Sequence, residues 1–450
     1  MFRSVLIANR GEIGLRILRA CRRLGLETVA VFSEADRDQP WLALADRAVC
    51  IGPAPAARSY LDPAAILLAA EATGAEAIHP GYGFLSENAD FARMVADCGR
   101  VFIGPPPGCI RTMGDKVEAK RALIAAGVPC VPGSSDALPE DPSAARAVVA
   151  PLGWPILLKA AGGGGGRGMR VVHGPADFEE ALRLTREEAR RAFADPRIYA
   201  ERFLERPRHV EIQVLADRFG DAVWLSSRDC SLQRRHQKLV EEAPAPGVPE
   251  PDLAEVGARC VETCRQLGYV GAGTFEFLYE DGRFAFIEMN TRIQVEHPVT
   301  EAITGIDIVA ETIRVARGEP LSVDQAAVRV HGHAVEVRIN AEDPRSFVPS
   351  PGRVERFVLP GGPGIRVDTH LAAGGPVPAH YDSLIAKIVA HGACREEALV
   401  RLEQALAETR IEGVATNLPL HRRILRDPAF RRGGVDIRQL ERLLAGEDGA

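Results

Sequence analysis

Residues 286–297 read FIEMNTRIQVEH. Glu288, Asn290, Arg292, Gln294 and Glu296 fall on alternate positions, with Ile287, Met289, Ile293 and Val295 filling most of the gaps. Successive side chains of a strand point to opposite faces, so this spacing predicts one face of two carboxylates, two amides and a guanidinium. Solvated strand faces favour Thr, Lys and Ser, whereas acids, amides and an arginine are the groups a metal–phosphate site needs. Magnesium takes oxygen ligands and is held by one or two carboxylates together with substrate phosphates. Glu276 lies on the preceding predicted strand, with the turn residues Asp281 and Gly282 between. A strict two-residue turn would pair Glu276 with Ile287 and set the carboxylates on opposite faces. A three-residue loop, with Gly282 left-handed and a bulge, would set Glu276 and Glu288 on one face with Asn290. Only the second arrangement makes a magnesium site.

Other residues point the same way. Lys159 closes an apolar strand, and a lysine there wants a charged partner, a role a phosphate would fill. Residues 162–168 follow as a glycine loop, and 169–173 read as a second strand. The loop matches G-x-G-x-x-G, but strand–loop–strand is a hairpin whose backbone N–H groups can close over phosphates, not a dinucleotide fingerprint. Lys116 sits in the first turn of a predicted helix, where a cation opposes the helix dipole and an approaching anion would offset it. Residues 228–238, RDCSLQRRHQK, read either as an exposed basic loop or as a cationic patch that meets a small anion. Arg338 shares the polar face of predicted strand 334–340 with Glu336 and Asn340.

The elements that must carry these groups form an α/β and α+β multidomain chain. Strands near 4–9, 27–33, 77–79 and 101–103 alternate with helices 12–24, 63–73 and 87–98, which predicts a Rossmann-like parallel sheet over residues 1–113. Residues 114–330 form a second domain, with a smaller unit at 131–203 that carries the glycine loop. Residues 331–446 restart with strand 333–340, two Gly/Pro turns, strand 384–391 and helix 395–409, and make a third, α+β domain. The 450 residues are 46% hydrophobic and 26% charged, with 61 acids against 55 bases. A net charge of −6 gives no support for nucleic-acid or membrane-surface binding. No apolar run approaches the roughly 18 residues of a membrane span. The start, MFRSVLIANRGEIG, lacks a leader pattern, and a cytoplasmic location is expected. The nine cysteines are scattered singly and read as reduced thiols.

Taken in order, these motifs resemble the ATP-grasp ligases, and within them the biotin carboxylases. The resemblance rests on IANRGEI, HPGYGFLSEN, GGGGGRGM, RDCS-x-QRRHQK and EMNTRIQVEHPVTE, and runs from residue 1 to about 445. It implies an ATP-grasp second domain with the 131–203 unit as a mobile lid, and a biotin carboxylase C-terminal domain. It implies contacts to ATP from Lys116, Lys159, Gly165, Gly166, Glu201, Arg202, Phe203, Leu204, His209, Gln233, His236, Glu276 and Glu288. Magnesium (or manganese) would lie on Glu276, Glu288 and Asn290, and bicarbonate on Lys238, Arg292, Gln294 and the Val295 backbone. Glu296 would be the general base and Arg338 the partner of the biotin enolate, with Arg292 and Lys238 completing the catalytic group. The implied reaction is ATP-dependent carboxylation of biotin on a separate carrier protein, through carboxyphosphate. It would be the first half of acetyl-CoA carboxylation in fatty-acid synthesis, or of another acyl-CoA carboxylase such as the propionyl-CoA enzyme. Carrier and carboxyltransferase subunits are the implied partners, in a homodimer. Arg202 stands where close relatives carry Lys, and Arg23 and Pro363 depart from the residues associated with the family's dimer contact. A carbamoyl-phosphate synthetase half would share the metal strand but has no need of the Arg292–Glu296 face together with RRHQK.

Overall fold

The computed structural model describes residues 1–134, 136–162, 168–235 and 237–446. Its first sheet is built from β1 (Ser4–Ile7), β2 (Glu27–Phe32), β3 (Arg47–Cys50), β4 (Ala77–His79) and β5 (Val101–Phe102). They run in the order β3-β2-β1-β4-β5, all parallel, as the alternating helix–strand pattern requires. The helices between them start and stop on local signals. In helix Pro63–Thr73, Asp62 accepts from the N–H groups of Ala64 and Ala65, Pro63 opens the first turn, and Gly74 ends it with φ +66°. The short strand β3 and helix Pro107–Gly114 were not anticipated.

The smaller unit carries β6 (Ile156–Ala160), β7 (Met169–Val172) and β8 (Ile198–Arg202), ordered β7-β6-β8. Its own core, with Leu138, Val149, Ile156, Leu158, Phe178 and Ile198, is separate from the others. Strand β8 and helix Pro142–Val149 were also missed by periodicity. Gly165 and Gly166, and His236 further on, lie outside the described residues.

The site is built on the large sheet. Its strands begin with β9 (Arg208–Ala216), β10 (Ala222–Arg234), β11 (Gln237–Ala243), β12 (Gly271–Glu280), β13 (Arg283–Asn290) and β14 (His333–Asn340). The tail adds β15 (Gly352–Arg353), β16 (Arg356–Val358), β17 (Ile365–Thr369), β18 (Pro376–Val377), β19 (Leu384–Gly392) and β20 (Arg410–Glu412). The order β13-β12-β9-β10-β11-β14-β19-β17 makes one eight-stranded sheet. It crosses residue 330 without a break, because β11 pairs antiparallel with β14. The expected third domain therefore extends the sheet of the second. Its polar face is visible by twos: His209, Glu211 and Gln213 on β9, and Thr274 and Glu276 on β12. The intervening Val210, Ile212, Val214, Phe275 and Phe277 are fully buried in the core shared with helix Glu250–Leu267.

Three expectations are corrected. The strand bearing Glu288 ends at Asn290, so residues 291–296 are irregular and Arg292, Gln294 and Glu296 do not share a strand face. Glu296 is instead the N-cap residue of helix His297–Thr304. The hairpin turn is the strict two-residue kind, with Glu280 paired to Arg283 and positive φ at Asp281 and Gly282. The bulge falls at Ile287: Phe277 pairs with Phe286, but Glu276 pairs with Glu288. The extra residue flips the alternation and makes the two acids cross-strand partners, as the three-residue loop was meant to do. Last, residues 228–238 are not an exposed loop. They belong to the β10–β11 hairpin, with Arg228 completely buried and Lys238 turned inward to three carboxylates.

Candidate active site

Lys238 is the hub. Its ammonium lies 3.0 Å from Glu276 and 2.8 Å from Glu296, and also bonds Glu211. It arrives by a register shift: Leu232 pairs with Val240 but Gln233 with Lys238, so Leu239 breaks the alternation of β11. Burial alone would strip the ammonium of its proton, and the three acids outweigh burial, so its pKa is raised well above that of a free lysine. Burial would likewise raise the acids, but Lys238 and, for Glu211, Arg228 hold Glu211 and Glu296 at about 2. Glu276 is lowered too, by Lys238 and His209 against its burial. Burial works against a charged His209, but Glu276, 3.1 Å away, raises it to about 9.

Glu296 is held from both sides. Oε1 meets Lys238 and Oε2 accepts from Arg338 Nη2 at 2.9 Å. Arg338 also donates through Nε to Glu241 at 2.5 Å. Gln294 donates through Nε2 to Glu276 at 2.7 Å, while its side-chain Oε1 accepts from Arg228. Arg292 donates to Asn290 Oδ1 at 2.7 Å and to Glu87 at 2.9 Å. The Val295 carbonyl accepts from Lys387 at 2.7 Å. Loss of regular strand after Asn290 thus does not scatter these groups; the turn folds them back onto the same sheet face.

Glu276 and Glu288 oppose each other across β12 and β13, with Lys116 3.9 Å from Glu288. Burial and the charge of Glu276 push Glu288 above the usual carboxylate range, which a divalent cation between the two would relieve. Asn290 turns its Nδ2 to Glu276 at 2.7 Å and its Oδ1 to Arg292, so it would complete an all-oxygen set of the kind magnesium prefers only with its amide turned over. His209, Glu211 and Glu276 also lie close enough to share an ion, but Lys238 already supplies positive charge among the acids there.

Of the described residues expected at the nucleotide, Lys159, Glu201 and Arg202 lie on the three-stranded sheet of the smaller unit. Lys159 and Lys120 both reach Glu201, at 2.5 and 3.4 Å. The partner that Lys159 requires is therefore a protein carboxylate in this structure. Arg202 is exposed, Phe203 and Leu204 are half-buried, and Gln233 is buried within 3.4 Å of His209. Four site residues escaped sequence reading: Glu87, Glu211, Arg228 in its buried role, and Glu241. Glu211 had a signal, the alternation His209–Glu211–Gln213. Glu87 had none, because it comes from the first domain and meets Arg292 only in three dimensions.

A parallel α/β domain, a small three-stranded unit and a large antiparallel sheet whose acids, amides and lysines converge define the ATP-grasp class. Family models agree along the chain. The biotin carboxylase N-terminal domain matches residues 1–110, the carbamoyl-phosphate synthase L chain ATP-binding domain 115–324, and the biotin carboxylase C-terminal domain 336–442. A biotin carboxylase of Pseudomonas aeruginosa is 59% identical, covering 99% of each chain. The crystal structure of a biotin carboxylase-beta-gamma-ATP complex from Campylobacter jejuni superposes with TM-score 0.94 at 44% identity, covering 98% of this chain and 99% of that one. The biotin carboxylase domain dimer of Hydrogenobacter thermophilus 2-oxoglutarate carboxylase, in complex with MgADP, ADP and bicarbonate, gives 0.93 at 44% identity over 99% of each chain. The chain belongs to the biotin carboxylase family, and its activity class is that of an ATP-dependent ligase. Among the described residues no helix is long and apolar enough to cross a membrane.

Proposed function

We propose that this protein carboxylates biotin on a separate carrier protein, consuming ATP and bicarbonate with Mg²⁺ and releasing ADP and phosphate. The observation that carries the reading is Glu296, an ionised carboxylate fixed between Lys238 and Arg338 beside the Glu276–Glu288 pair. Residues 1–113, 114–330 with the lid 131–203, and 331–446 are the working units. Lys116, Lys159 and His209 face the phosphates, and residues 201–204 with Gln233 face adenine and ribose. Glu276, Glu288 and Asn290 hold the metal, which neutralises phosphate charge when bound.

Bicarbonate must lose its last proton as it attacks the γ-phosphate. Lys238, Arg292, Gln294 and the Val295 N–H bind it. Both Glu296 oxygens are engaged by cations, which makes it a weak base in this arrangement. An anion that competes for Lys238 frees Oε1, raises the basicity of Glu296 and sets it within reach of the bicarbonate O–H. The carboxyphosphate formed breaks down to CO₂ and phosphate, and the phosphate deprotonates biotin. Arg338 then meets the charge that develops on the ureido oxygen. Carboxyphosphate is labile to water, so closure of the lid over the site is part of the reaction.

The carrier and carboxyltransferase subunits are the partners, the assembly is a homodimer, and the location is cytoplasmic. Acetyl-CoA is the acceptor we favour, with propionyl-CoA the alternative. The likeness to a 2-oxoglutarate carboxylase domain shows that one fold of this kind serves unlike acceptors.

The test is direct. Purified protein should hydrolyse ATP slowly in a bicarbonate-dependent manner, and free biotin should stimulate it. Hydrolysis that ignores biotin rejects the proposal. In the same assay Lys116→Ala should weaken ATP binding about ten-fold or more, the worth of one charge-assisted hydrogen bond, read as KM for ATP or by calorimetry. An unchanged affinity would remove Lys116 from the nucleotide site.

A further inference from the structure

Behind Arg338 lie two acids with no task in the reaction above. Glu241 on β11 and Glu336 on β14 are cross-strand partners, and both are 0% exposed. Glu241 Oε1 accepts from Arg338 Nε at 2.5 Å. Among the described residues, its other oxygen and both oxygens of Glu336 have no hydrogen-bond partner. The groups facing the pair are Lys238 on β11, the Cys230 thiol on β10, Arg338 on β14, Glu296 at the start of helix His297–Thr304, and Lys387 on β19.

None of the cations is free to neutralise Glu336. Lys387 is committed to Glu12 at 3.0 Å and to the Val295 carbonyl. Lys238 is shared among Glu211, Glu276 and Glu296. Arg338 divides its donors between Glu241 and Glu296. Two neighbouring carboxylates in a dry interior cannot both ionise cheaply, and they titrate as a pair. Burial raises Glu336 far above the carboxylate range, and lifts Glu241 to about 7 even with Arg338 beside it.

We propose that Glu241 and Glu336 hold one proton between them at neutral pH, and that Glu241 is thereby a positioning residue for Arg338. Glu241 grips the guanidinium by its Nε edge. The shared proton keeps a second negative charge from forming behind it, so the positive charge stays available to the substrate side. Loss of that proton adds an anion next to Arg338 and weakens its hold on a developing negative charge. The part concerning catalysis rests on Arg338 facing biotin, as proposed above; the shared proton does not.

Two measurements separate these parts. The first is the infrared carboxylic-acid C=O band of the ligand-free protein, followed between pH 6 and 9 with ¹³C-labelled glutamate. The wild type should show a buried acid at pH 7; Glu336→Gln should lose that component, and Glu241→Gln should keep it on Glu336. Glu336→Gln, which mimics the neutral acid, should fold normally, and the titration of its Glu241 should move below neutrality. Spectra at pH 7 that are the same in wild type and Glu336→Gln overturn the shared proton. The second is the pH profile of biotin-stimulated ATP turnover. It should fall above neutrality in the wild type and lose that fall in Glu241→Gln, which keeps an acceptor for Nε but cannot ionise. Glu241→Ala, which removes the acceptor, should lose about ten-fold or more in kcat/KM for biotin. A purely structural Glu241 would lower the melting temperature of these variants and leave the wild-type fall in place, which overturns the positioning role. If the infrared result holds but turnover ignores biotin altogether, the failure belongs to the assigned reaction and not to the proton.

Discussion

Glu296→Ala should lower bicarbonate-dependent ATP hydrolysis by about 10²–10⁴-fold, the usual worth of a positioned general base, with ATP affinity kept within a few-fold. The separation is expected because Glu296 touches Lys238 and Arg338 but none of Lys116, Lys159 or Glu288. Glu296→Gln would keep the shape and a weak acceptor for both cations, yet cannot take a proton, and should fall by a similar factor. Rates are read by coupled ADP release over a range of bicarbonate concentrations, with nucleotide affinity from calorimetry. Near-normal turnover in either variant would remove Glu296 as the base.

The second large effect is on stability. Lys238→Met conserves the stem but leaves Glu211, Glu276 and Glu296 facing one another without their shared cation. Breaking a buried ion pair from one side costs about 3–5 kcal/mol, because the remaining charge is uncompensated. The variant should lose stability of that order at pH 7 in urea unfolding, together with its activity. The acid limb of the pH dependence should become shallower. Glu211 and Glu296 are held at about 2, below their unfolded value, so in the wild type they add stability above the unfolded carboxylate pKa that is lost as pH falls toward 2. Without Lys238, Glu211 keeps Arg228 and Glu296 keeps Arg338, so their folded pKa values move up only toward the unfolded one. The stability they add above the unfolded carboxylate pKa then shrinks, and less is lost as pH falls. A variant as stable as wild type at pH 7, with the same acid limb, would show that Lys238 is not what neutralises the cluster.

Local periodicity was enough for much of the architecture. Strand Ala77–His79, helix Pro63–Thr73 and strand His333–Asn340 were legible to the residue, because caps, glycines and alternation act within a few positions. Residue type alone singled out Glu276, Glu288 and Asn290 as candidates for a metal–phosphate site, and the first two prove to be cross-strand partners. Periodicity failed where the polar side of the chain is also buried. Residues 228–238 look like a surface loop because Arg, Gln and Lys usually lie outside, yet here Arg228 is completely buried among Glu211, Gln213, Thr274, Gln294 and Thr300.

What the sequence by itself determined is the set of reactive groups and most of the strands and helices that carry them, since both depend on neighbours a few residues apart. Tertiary structure alone decided how those groups meet. A single extra residue at Ile287, and another at Leu239, reverses which face a side chain takes, and no pattern of period two can announce its own interruption. The contacts of Arg292 with Glu87 and of Arg338 with Glu241 join residues 205 and 97 positions apart. Such pairs exist only once β11 has met β14 and the first domain has closed on the sheet, because charge neutralisation in a buried site depends on distance in space and not along the chain.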